Sequence, residues 1–278
     1  MSEHKLYLVA TPIGNLSDMS KRAIEVLQNV DFIAAEDTRN TLKLLNKFGI
    51  KKPMVSYFEH NKRQRGEYIV SRIESGENCA LVTDAGTPAI SDPGEDIVKL
   101  CAEKDIDVVP IPGACAFVQA LIVSGLDTGR FSFEGFLSVN KPQRNKHLEE
   151  IKMHTQTLIF YEAPHKLRKT LSDLYSHLGD RKIALCRELT KMYEQVIRTT
   201  IKGAIDYFEA KEPKGEFVLV VEGFKGEEVG QMTNEDILQE VNNLLNSGMD
   251  KKSAIKEAAT KAGLPKREVY QMVLQSEQ

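Results

Sequence analysis

Short apolar runs rich in β-branched residues alternate with longer amphipathic stretches from residue 5 to about residue 223. Apolar runs of strand length separated by amphipathic segments of helix length are typical of βα units, which build largely parallel sheets. We therefore expect an α/β fold. The predicted strands lie at residues 5–10, 32–35, 54–57, 79–83, 107–111, 131–136, 157–162, 182–187, 194–201 and 216–221.

The ten predicted strands fall into two sets of five, separated by the sequence PIPG at residues 110–113. Proline excludes helix before it and glycine permits a sharp turn, so this segment is a natural boundary between compact units. A chain of 278 residues is also longer than the roughly 100–200 residues of a typical single domain. We predict one α/β domain at residues 1–112 and a second at residues 113–226.

The composition changes after Gly223, where a polar linker precedes residues with helical rather than strand periodicity. Thr233 or Asn234 is a candidate N-cap of a first helix, Asp250 caps a second, and the sequence GLP at 263–265 ends the second and starts a third. We predict a small all-α unit at residues 230–278. Its Gly-bearing turn gives it the outline of a helix-turn-helix, although three such helices also make a plain packing module.

Charge and hydropathy restrict the classes of function. The net charge of −3 argues against a surface that is basic throughout, but residues 38–52 hold five basic and no acidic side chains. The chain has no apolar run of the roughly 20 residues that cross a bilayer and no basic segment followed by an apolar signal core, so we expect a cytoplasmic protein. The four cysteines lack short-range pairing, so we expect free thiols and no structural metal. Candidate contacts to a nucleic acid are Arg39, Lys43, Lys62, Arg63, Arg65, Lys266 and Arg267, and a solvated helix face is the alternative interpretation of the basic segment.

The familiar ligand-binding motifs are missing from the sequence: there is no G-x-G-x-x-G after the first strand, no P-loop, no H-E-x-x-H and no C-x-x-C. Turns rich in glycine and proline follow three predicted strands instead: ATPIGNL at residues 10–16, LVTDAGTPAISDPG at 81–94 and PIPGACA at 110–116. Ligands of open α/β sheets bind at the carboxyl ends of the strands, which is where these turns lie. Glycine lets a ligand approach the backbone closely, and Asp84 offers hydrogen-bond acceptors.

Five segments together resemble the tetrapyrrole methylase superfamily, and within it the branch that acts on ribosomal RNA. They are VATPIGNL at residues 9–16, AEDTR at 35–39, VTDAGTP at 82–88, IPGA at 111–114 and FYEAPH at 160–165. The resemblance spans residues 5 to about 225. It implies two α/β domains of the tetrapyrrole methylase type with a cleft between them, S-adenosylmethionine as methyl donor, and a homodimer.

The substrate implied by this resemblance is small-subunit ribosomal RNA (16S rRNA), methylated on the 2'-oxygen of a cytidine ribose. Relatives that methylate corrins and porphyrins begin with a Gly-x-Gly-Pro-Gly type of turn, whereas this chain has ATPIG at residues 10–14. The difference favours RNA over a tetrapyrrole. Carried over position by position, the resemblance places the donor against Pro12, Gly14, Asp84, Ala85, Gly86, Ile90, Pro112, Gly113, Ala114, Glu162 and Ala163.

Methyl transfer to a ribose hydroxyl needs a base that removes the proton or a cation that stabilises the developing alkoxide. The sequence CRELTKMYE at residues 186–194 offers both kinds of group at the end of a predicted strand. We take Glu188, Arg187, Lys191 and Glu162 as candidate catalytic residues. Competing candidates are Glu36, Asp37, Arg39 and His165, and an interdomain salt bridge is the alternative role for any one of them.

Two other functions stay open at the level of sequence. One is a methylase of a tetrapyrrole or another small metabolite, in which the cleft alone supplies specificity. The other is a non-catalytic nucleic-acid-binding protein that uses the helical tail and has a degenerate donor pocket.

Overall fold

The computed structural model describes residues 4–226 and 233–276. The chain divides into two compact units, residues 1–223 and residues 224–278. Both predicted sheets lie in the first unit, and the second holds the helical tail. The predicted boundary near residue 112 remains a prediction.

The first sheet has five parallel strands in the order β3-β2-β4-β1-β5. Its strands are β1 (Leu6–Val9), β2 (Phe32–Ala35), β3 (Met54–Ser56), β4 (Cys79–Val82) and β5 (Val108–Ile111). The helices that accompany them are α1 (Lys21–Asn29), α2 (Thr38–Lys47), α3 (Lys62–Glu74) and α4 (Gly94–Glu103), and a short 3-10 turn lies at Leu16–Asp18. Strands β2 and β4 are buried throughout, because helices cover both faces of the sheet.

The second sheet also has five strands, in the order β6-β7-β10-β8-β9. They are β6 (Phe131–Phe136), β7 (Thr157–Glu162), β8 (Lys182–Arg187), β9 (Gln195–Thr200) and β10 (Phe217–Val221). The helices of this half are α5 (Ala116–Ser124), α6 (Lys141–Ile151), α7 (Pro164–Leu178) and α8 (Ile201–Ala210). One face of the sheet packs on α6, α7 and α8, and α5 covers the other.

The expectation of a largely parallel sheet is wrong for this second half. Only β6 and β7 pair in parallel, whereas β10 is antiparallel to both β7 and β8, and β8 is antiparallel to β9. Residues 188–194 join β8 to β9, and a parallel crossover needs a connection of a dozen or more residues. The short connection therefore forces a hairpin.

The tail consists of α9 (Asn234–Asn246), α10 (Lys251–Ala262) and α11 (Lys266–Ser276) around an apolar core of their own. Thr233 and Asp236 form a reciprocal capping box, Asp250 caps α10, and Gly263 ends it in the left-handed conformation. The three predicted helices are therefore confirmed. Within residues 4–226 and 233–276, no helix is long and apolar enough to cross a membrane.

Candidate functional site

Three loops that follow β1, β4 and β5 are joined directly by hydrogen bonds. The amide of Thr11 donates to the carbonyl of Gly86 over 2.9 Å, and the amide of Gly86 donates back to Thr11 over 3.0 Å. The hydroxyl of Thr87 donates to the carbonyl of Ala114 over 2.9 Å. The glycine-proline turns that the sequence singles out therefore meet at one edge of the first sheet.

Two glycines permit this close approach. Gly86 has φ +87°, a left-handed value that favours glycine, and it bridges to Thr11. A Cβ at Gly113 would lie 2.8 Å from the Cβ of Ala10, closer than real side chains come. The loops after β1 and β5 can therefore touch only with glycine at residue 113.

The loop between β4 and α4 is held in a strained conformation by Asp92. Its carboxylate accepts hydrogen bonds from the amides of Ala89, Ile90 and Gly94, over 3.0, 3.2 and 2.7 Å. Ala89 and Ser91 have left-handed φ angles of 68° and 63°, which cost non-glycine residues about 1–3 kcal/mol each. Burial of Asp92 raises the pKa of its carboxyl. Strain of this kind is common where a loop shapes a ligand site.

These loops and the carboxyl-end loops of the second sheet border a cleft of about 560 Å³ within residues 1–223. The first sheet contributes Ile13, Glu36, Thr83 to Thr87, Ile90 to Asp92, Cys115 and Ala116. The second contributes Phe136, Tyr161 to His165, Cys186, Glu188, Leu189, Lys191 and Glu216 to Val218. The walls are mainly apolar, with a few carboxylates and one lysine, which is the usual character of a small-molecule site.

An acidic group lies on the side of the cleft formed by the first sheet. The hydroxyl of Thr83 donates to Glu36 over 2.7 Å, and the Asp84 amide approaches the same oxygen at 3.4 Å. Burial, together with the negative charges of Glu36 and Asp37, raises the pKa of Asp84. This side of the cleft therefore favours a cationic ligand.

The opposite side carries an ion-paired lysine from the β8–β9 loop. The ammonium of Lys191 lies 2.9 Å from both Glu188 Oε1 and Glu216 Oε2, and Glu188 also accepts the Glu216 amide over 3.0 Å. Glu188 and Thr190 have positive φ angles of 52° and 66°, so the turn that presents Lys191 is strained. At Gly215, a Cβ would lie 2.5 Å from the Cγ of Glu188.

The pKa shifts of this pair fix its charge state. The hydrogen bond from the Glu216 amide, followed by that from Lys191, lowers the pKa of Glu188. Burial alone would lower the pKa of Lys191, but its hydrogen bonds to Glu188 and Glu216 outweigh that effect and raise it. At neutral pH the site therefore holds a charged lysine and an ionised glutamate.

Glu162 ends β7 and is only 4% exposed. One carboxylate oxygen accepts the amide of Ala163 over 2.9 Å, and the other accepts the hydroxyl of Thr170. Arg144, itself 4% exposed, donates to Thr170 over 2.9 Å and to Asp173 over 2.6 Å. This buried network fixes the wall of the cleft at the start of α7.

The structure brings many of the predicted donor-binding residues together. Those that line the cleft are Asp84, Ala85, Gly86, Ile90, Glu162 and Ala163. Pro12, Gly14, Pro112, Gly113 and Ala114 lie in the supporting loops without lining it, and their neighbours Ile13, Cys115 and Ala116 do so instead. Of the catalytic candidates, Glu188, Lys191 and Glu162 line the cleft, as do the competing candidates Glu36 and His165.

Arg187 is not brought to the cleft. Side chains alternate along a strand, and Cys186 is the residue that faces the cleft. The Arg187 guanidinium instead donates to the backbone carbonyl of Lys214. A direct catalytic role for Arg187 is therefore not supported.

The predicted RNA contacts are spread over several elements. Arg39, Lys43, Arg63 and Arg65 are exposed, but Arg39 is paired with Asp37 and Lys62 with both Glu59 and Asp96. The hydrogen bonds of Lys62 to Asp96 and, more weakly, to Glu59 raise the pKa of its ammonium group. Lys266 and Arg267 are exposed at the start of α11 in the second compact unit.

Sequence reasoning missed the aromatic wall of the cleft. Tyr161 and Phe136 line it, and their rings meet edge-on at a centroid distance of 5.5 Å. The Tyr161 hydroxyl accepts the amide of Phe117 over 3.2 Å. The sequence did contain a signal for Tyr161, because it directly precedes the predicted site residue Glu162 at the carboxyl end of β7.

Comparison with known proteins agrees with this geometry. The family model described as Tetrapyrrole (Corrin/Porphyrin) Methylases matches residues 5–205. A protein of Synechocystis sp. is 48% identical, with 98% of each chain covered, and one of Bacillus subtilis is 50% identical over 95% of this chain and 92% of its own. A Pseudomonas aeruginosa protein is 41% identical over 99% of this chain and 98% of its own. Each is named ribosomal RNA small subunit methyltransferase I.

Solved structures share the fold at much lower sequence identity. Uroporphyrin-III-C-methyltransferase from Thermus thermophilus matches with a TM-score of 0.56 and 17% identity, over 78% of this chain and 94% of that one. Diphthine synthase matches with a TM-score of 0.59 and 15% identity, over 78% and 89% of the two chains. These likenesses establish the architecture of two α/β halves.

Proposed function

The chain belongs to the tetrapyrrole (corrin/porphyrin) methylase family, and on that premise we propose that it transfers a methyl group from S-adenosylmethionine to small-subunit ribosomal RNA. The observation that carries the proposal is the direct bonding of Thr11 to Gly86 and of Thr87 to Ala114, which makes one cleft out of three loops. Relatives at 41–50% identity over nearly the whole chain carry the name of an enzyme of this kind.

The cleft suits a donor of this size and charge. Its volume of about 560 Å³ lies within the roughly 300–1,000 Å³ of small-molecule sites. Ile13, Ile90 and Leu189 offer apolar surface for a flat ring, and Ala85 leaves room for it. The carboxylates of Asp84 and Glu36 favour the cationic sulfonium and the amino group of the donor. No cluster of His, Cys, Asp and Glu suited to a metal occurs in the described residues 4–226 and 233–276.

The bound donor supplies an electrophilic methyl carbon for in-line displacement, and the protein has to orient the acceptor and exclude water. We assign Lys191 the role of stabilising negative charge on the acceptor oxygen, because its raised pKa keeps it cationic. Glu188 has a lowered pKa and is therefore a weak proton acceptor, so we assign it to holding Lys191 in place. The acceptor hydroxyl has to lose its proton as its bond to the methyl carbon forms, and we assign removal of that proton to Glu36 or His165, the other candidates that line the cleft. Glu162 keeps the wall at Ala163 in position.

The finer parts of the proposal concern the substrate atom, the assembly and the location. The resemblance to the ribosomal RNA branch supports the 2'-oxygen of a cytidine as acceptor. It also supports a homodimer, and a ribosomal substrate supports a cytoplasmic location. Sequence-specific recognition of RNA usually targets unstacked nucleotides, so the target cytidine has to leave its stack to reach the cleft.

The proposal is tested by label transfer. Donor carrying a tritiated methyl group is incubated with small ribosomal subunits that lack the modification, and the RNA is digested to nucleosides. Label in 2'-O-methylcytidine supports the proposal. Label in a tetrapyrrole or other metabolite in a cell extract would support the first alternative function, and binding without any transfer would support a non-catalytic adaptor.

A further inference from the structure

A second concavity lies on the opposite face of the second sheet, behind the cleft. It has a volume of about 340 Å³. Arg187 lines it, whereas the preceding residue on β8, Cys186, lines the cleft. Its lining consists of Arg187, Gln195, Tyr207, Phe208, Lys211, Glu212 and Lys214. We refer to it as the Arg187 pocket.

Three cations line the Arg187 pocket, and none of them forms a salt bridge with a described residue of this chain. Lys191 and Lys202, which lie nearby in the sequence, do pair with carboxylates, at 2.9 Å from Glu188 and 2.6 Å from Asp206. The lining also includes one carboxylate, Glu212, so the cations outnumber it by three to one. An excess of cations around one concavity creates a positive potential that attracts an anion.

Contacts inside the Arg187 pocket orient two of these cations, Arg187 and Lys211. Nε of Arg187 donates to the carbonyl of Lys214, and neither Nη group hydrogen-bonds to any residue in the described part of the chain. The ammonium of Lys211 lies 3.1 Å from the Tyr207 hydroxyl and 4.4 Å from the centre of its ring. An anchored guanidinium with free Nη groups is suited to two-point recognition of a phosphate.

The Arg187 pocket and the cleft meet at the end of two strands. Arg187 lines the pocket and the next residue, Glu188, lines the cleft. Likewise Lys214 lines the pocket, and Glu216, two residues later, lines the cleft. A polyanionic chain with one of its residues in the cleft would therefore have a neighbouring charged group close to the Arg187 pocket.

We propose that the Arg187 pocket binds a backbone phosphate of the RNA strand whose target nucleotide enters the cleft. The inference rests on the proposed function and assigns Arg187 to substrate binding in place of catalysis. A phosphate contact positions a nucleic acid without reading its sequence, so the pocket sets the register of the strand. Acidic protein side chains are the alternative anion, but a strand that already reaches the cleft carries a phosphate at every nucleotide.

The test compares Lys214→Ala, Lys211→Ala and Arg187→Lys with the wild type. Binding of the full-length chain to small ribosomal subunits that lack the modification is measured between about 50 and 200 mM salt. We expect each alanine variant to weaken binding about ten-fold and to reduce the slope of log affinity against log salt by up to about 0.9. Arg187→Lys keeps the charge and should lose affinity with little change in slope, because lysine lacks the planar fork.

Two measurements distinguish phosphate binding in the Arg187 pocket from an indirect effect on the cleft. Donor affinity by calorimetry should stay at the wild-type value in all three variants, since none of the three residues lines the cleft. Lys202→Ala is the matched control, because Lys202 lies on α8, as Tyr207 does, but is paired with Asp206 and lies outside the pocket. Its affinity for the subunits and its salt slope should match those of the wild type.

Wild-type affinity and salt slope in Lys214→Ala and Lys211→Ala would overturn the inference. So would weaker binding with an unchanged salt slope in those two variants, which would indicate contact with a ribosomal protein instead of RNA phosphate. Failure of the proposed function looks different: the wild type itself would then transfer no label to the subunits.

Discussion

Gly14 and Lys191 come from opposite halves of the first compact unit and lie against each other. A Cβ at Gly14 would be 2.4 Å from the Cγ of Lys191 and 2.9 Å from the Oγ1 of Thr190. The loop after β1 therefore packs directly on the stem of the lysine that the β8–β9 loop presents to the cleft. Only glycine leaves space for that stem.

Gly14→Ala should displace Lys191 and slow methyl transfer by up to about 100-fold, because small misplacements of a catalytic group carry costs of that size. The measurement is kcat for label transfer at saturating donor. Gly66→Ala, in α3, is the matched control: its Cβ would make ordinary van der Waals contacts with Tyr57 at 3.7 Å and Leu100 at 3.8 Å. The control should keep wild-type activity, and equal activity in both variants would contradict the packing argument.

Lys191→Met should reduce kcat by about 100-fold or more, since it removes the cation assigned to stabilising charge on the acceptor oxygen. Donor affinity should change little by comparison. Glu188→Gln should cause a smaller loss, because it weakens the hold on Lys191 without removing the charge. If kcat survives in Lys191→Met, the catalytic role belongs to another residue of the cleft.

Asp84→Asn should weaken donor binding and stabilise the fold at neutral pH. Burial, then the charges of Glu36 and Asp37, raises the pKa of Asp84, so ionisation of this carboxyl costs stability in the folded state. That cost is absent below the ordinary pKa near 4 and complete above the raised value. Thermal unfolding of variant and wild type should therefore coincide in acid and separate at pH 7, with the variant melting higher. A lower melting temperature at pH 7 would contradict this.

Arg144→Met should destabilise the chain by about 2–3 kcal/mol, because it leaves the buried Thr170 and the partly buried Asp173 without their donor. The loss is measured by urea unfolding. Lys146→Met on the same helix is the control, since Lys146 forms an exposed ion pair with Glu150 at 3.7 Å, which contributes little stability. A similar loss in both variants would show that the network around Glu162 contributes nothing specific.

The ten strands were predictable because each is a short apolar run between turn residues, and all ten occur within about one residue of their expected bounds. The prediction of largely parallel strands was wrong for the second sheet. Direction depends on which strands become neighbours, and β10 inserts between β7 and β8, which precede it in the sequence. The seven residues 188–194 between β8 and β9 were the one local sign of a hairpin.

The position of the cleft followed from the rule that ligands bind at the carboxyl ends of strands, and the three loops do meet there. The rule did not predict which side chains of each loop line the cleft. Ile13 lines the cleft where Pro12 and Gly14 do not, because loop geometry decides which residue points inward. Strand alternation would have separated Arg187 from Cys186, but it requires knowing which face of β8 borders the cleft.

The most direct test of the donor site is to fill it. Ala85 lines the cleft and is exposed to it, so Ala85→Trp should occupy the space that the donor needs without disturbing the core. Calorimetric titration with S-adenosylmethionine should show binding to the wild type and to Ala102→Trp, which changes an exposed residue of α4 away from the cleft. Ala85→Trp should give no measurable binding while its thermal unfolding stays cooperative. Wild-type affinity in a folded Ala85→Trp would contradict the claim that these loops hold the methyl donor.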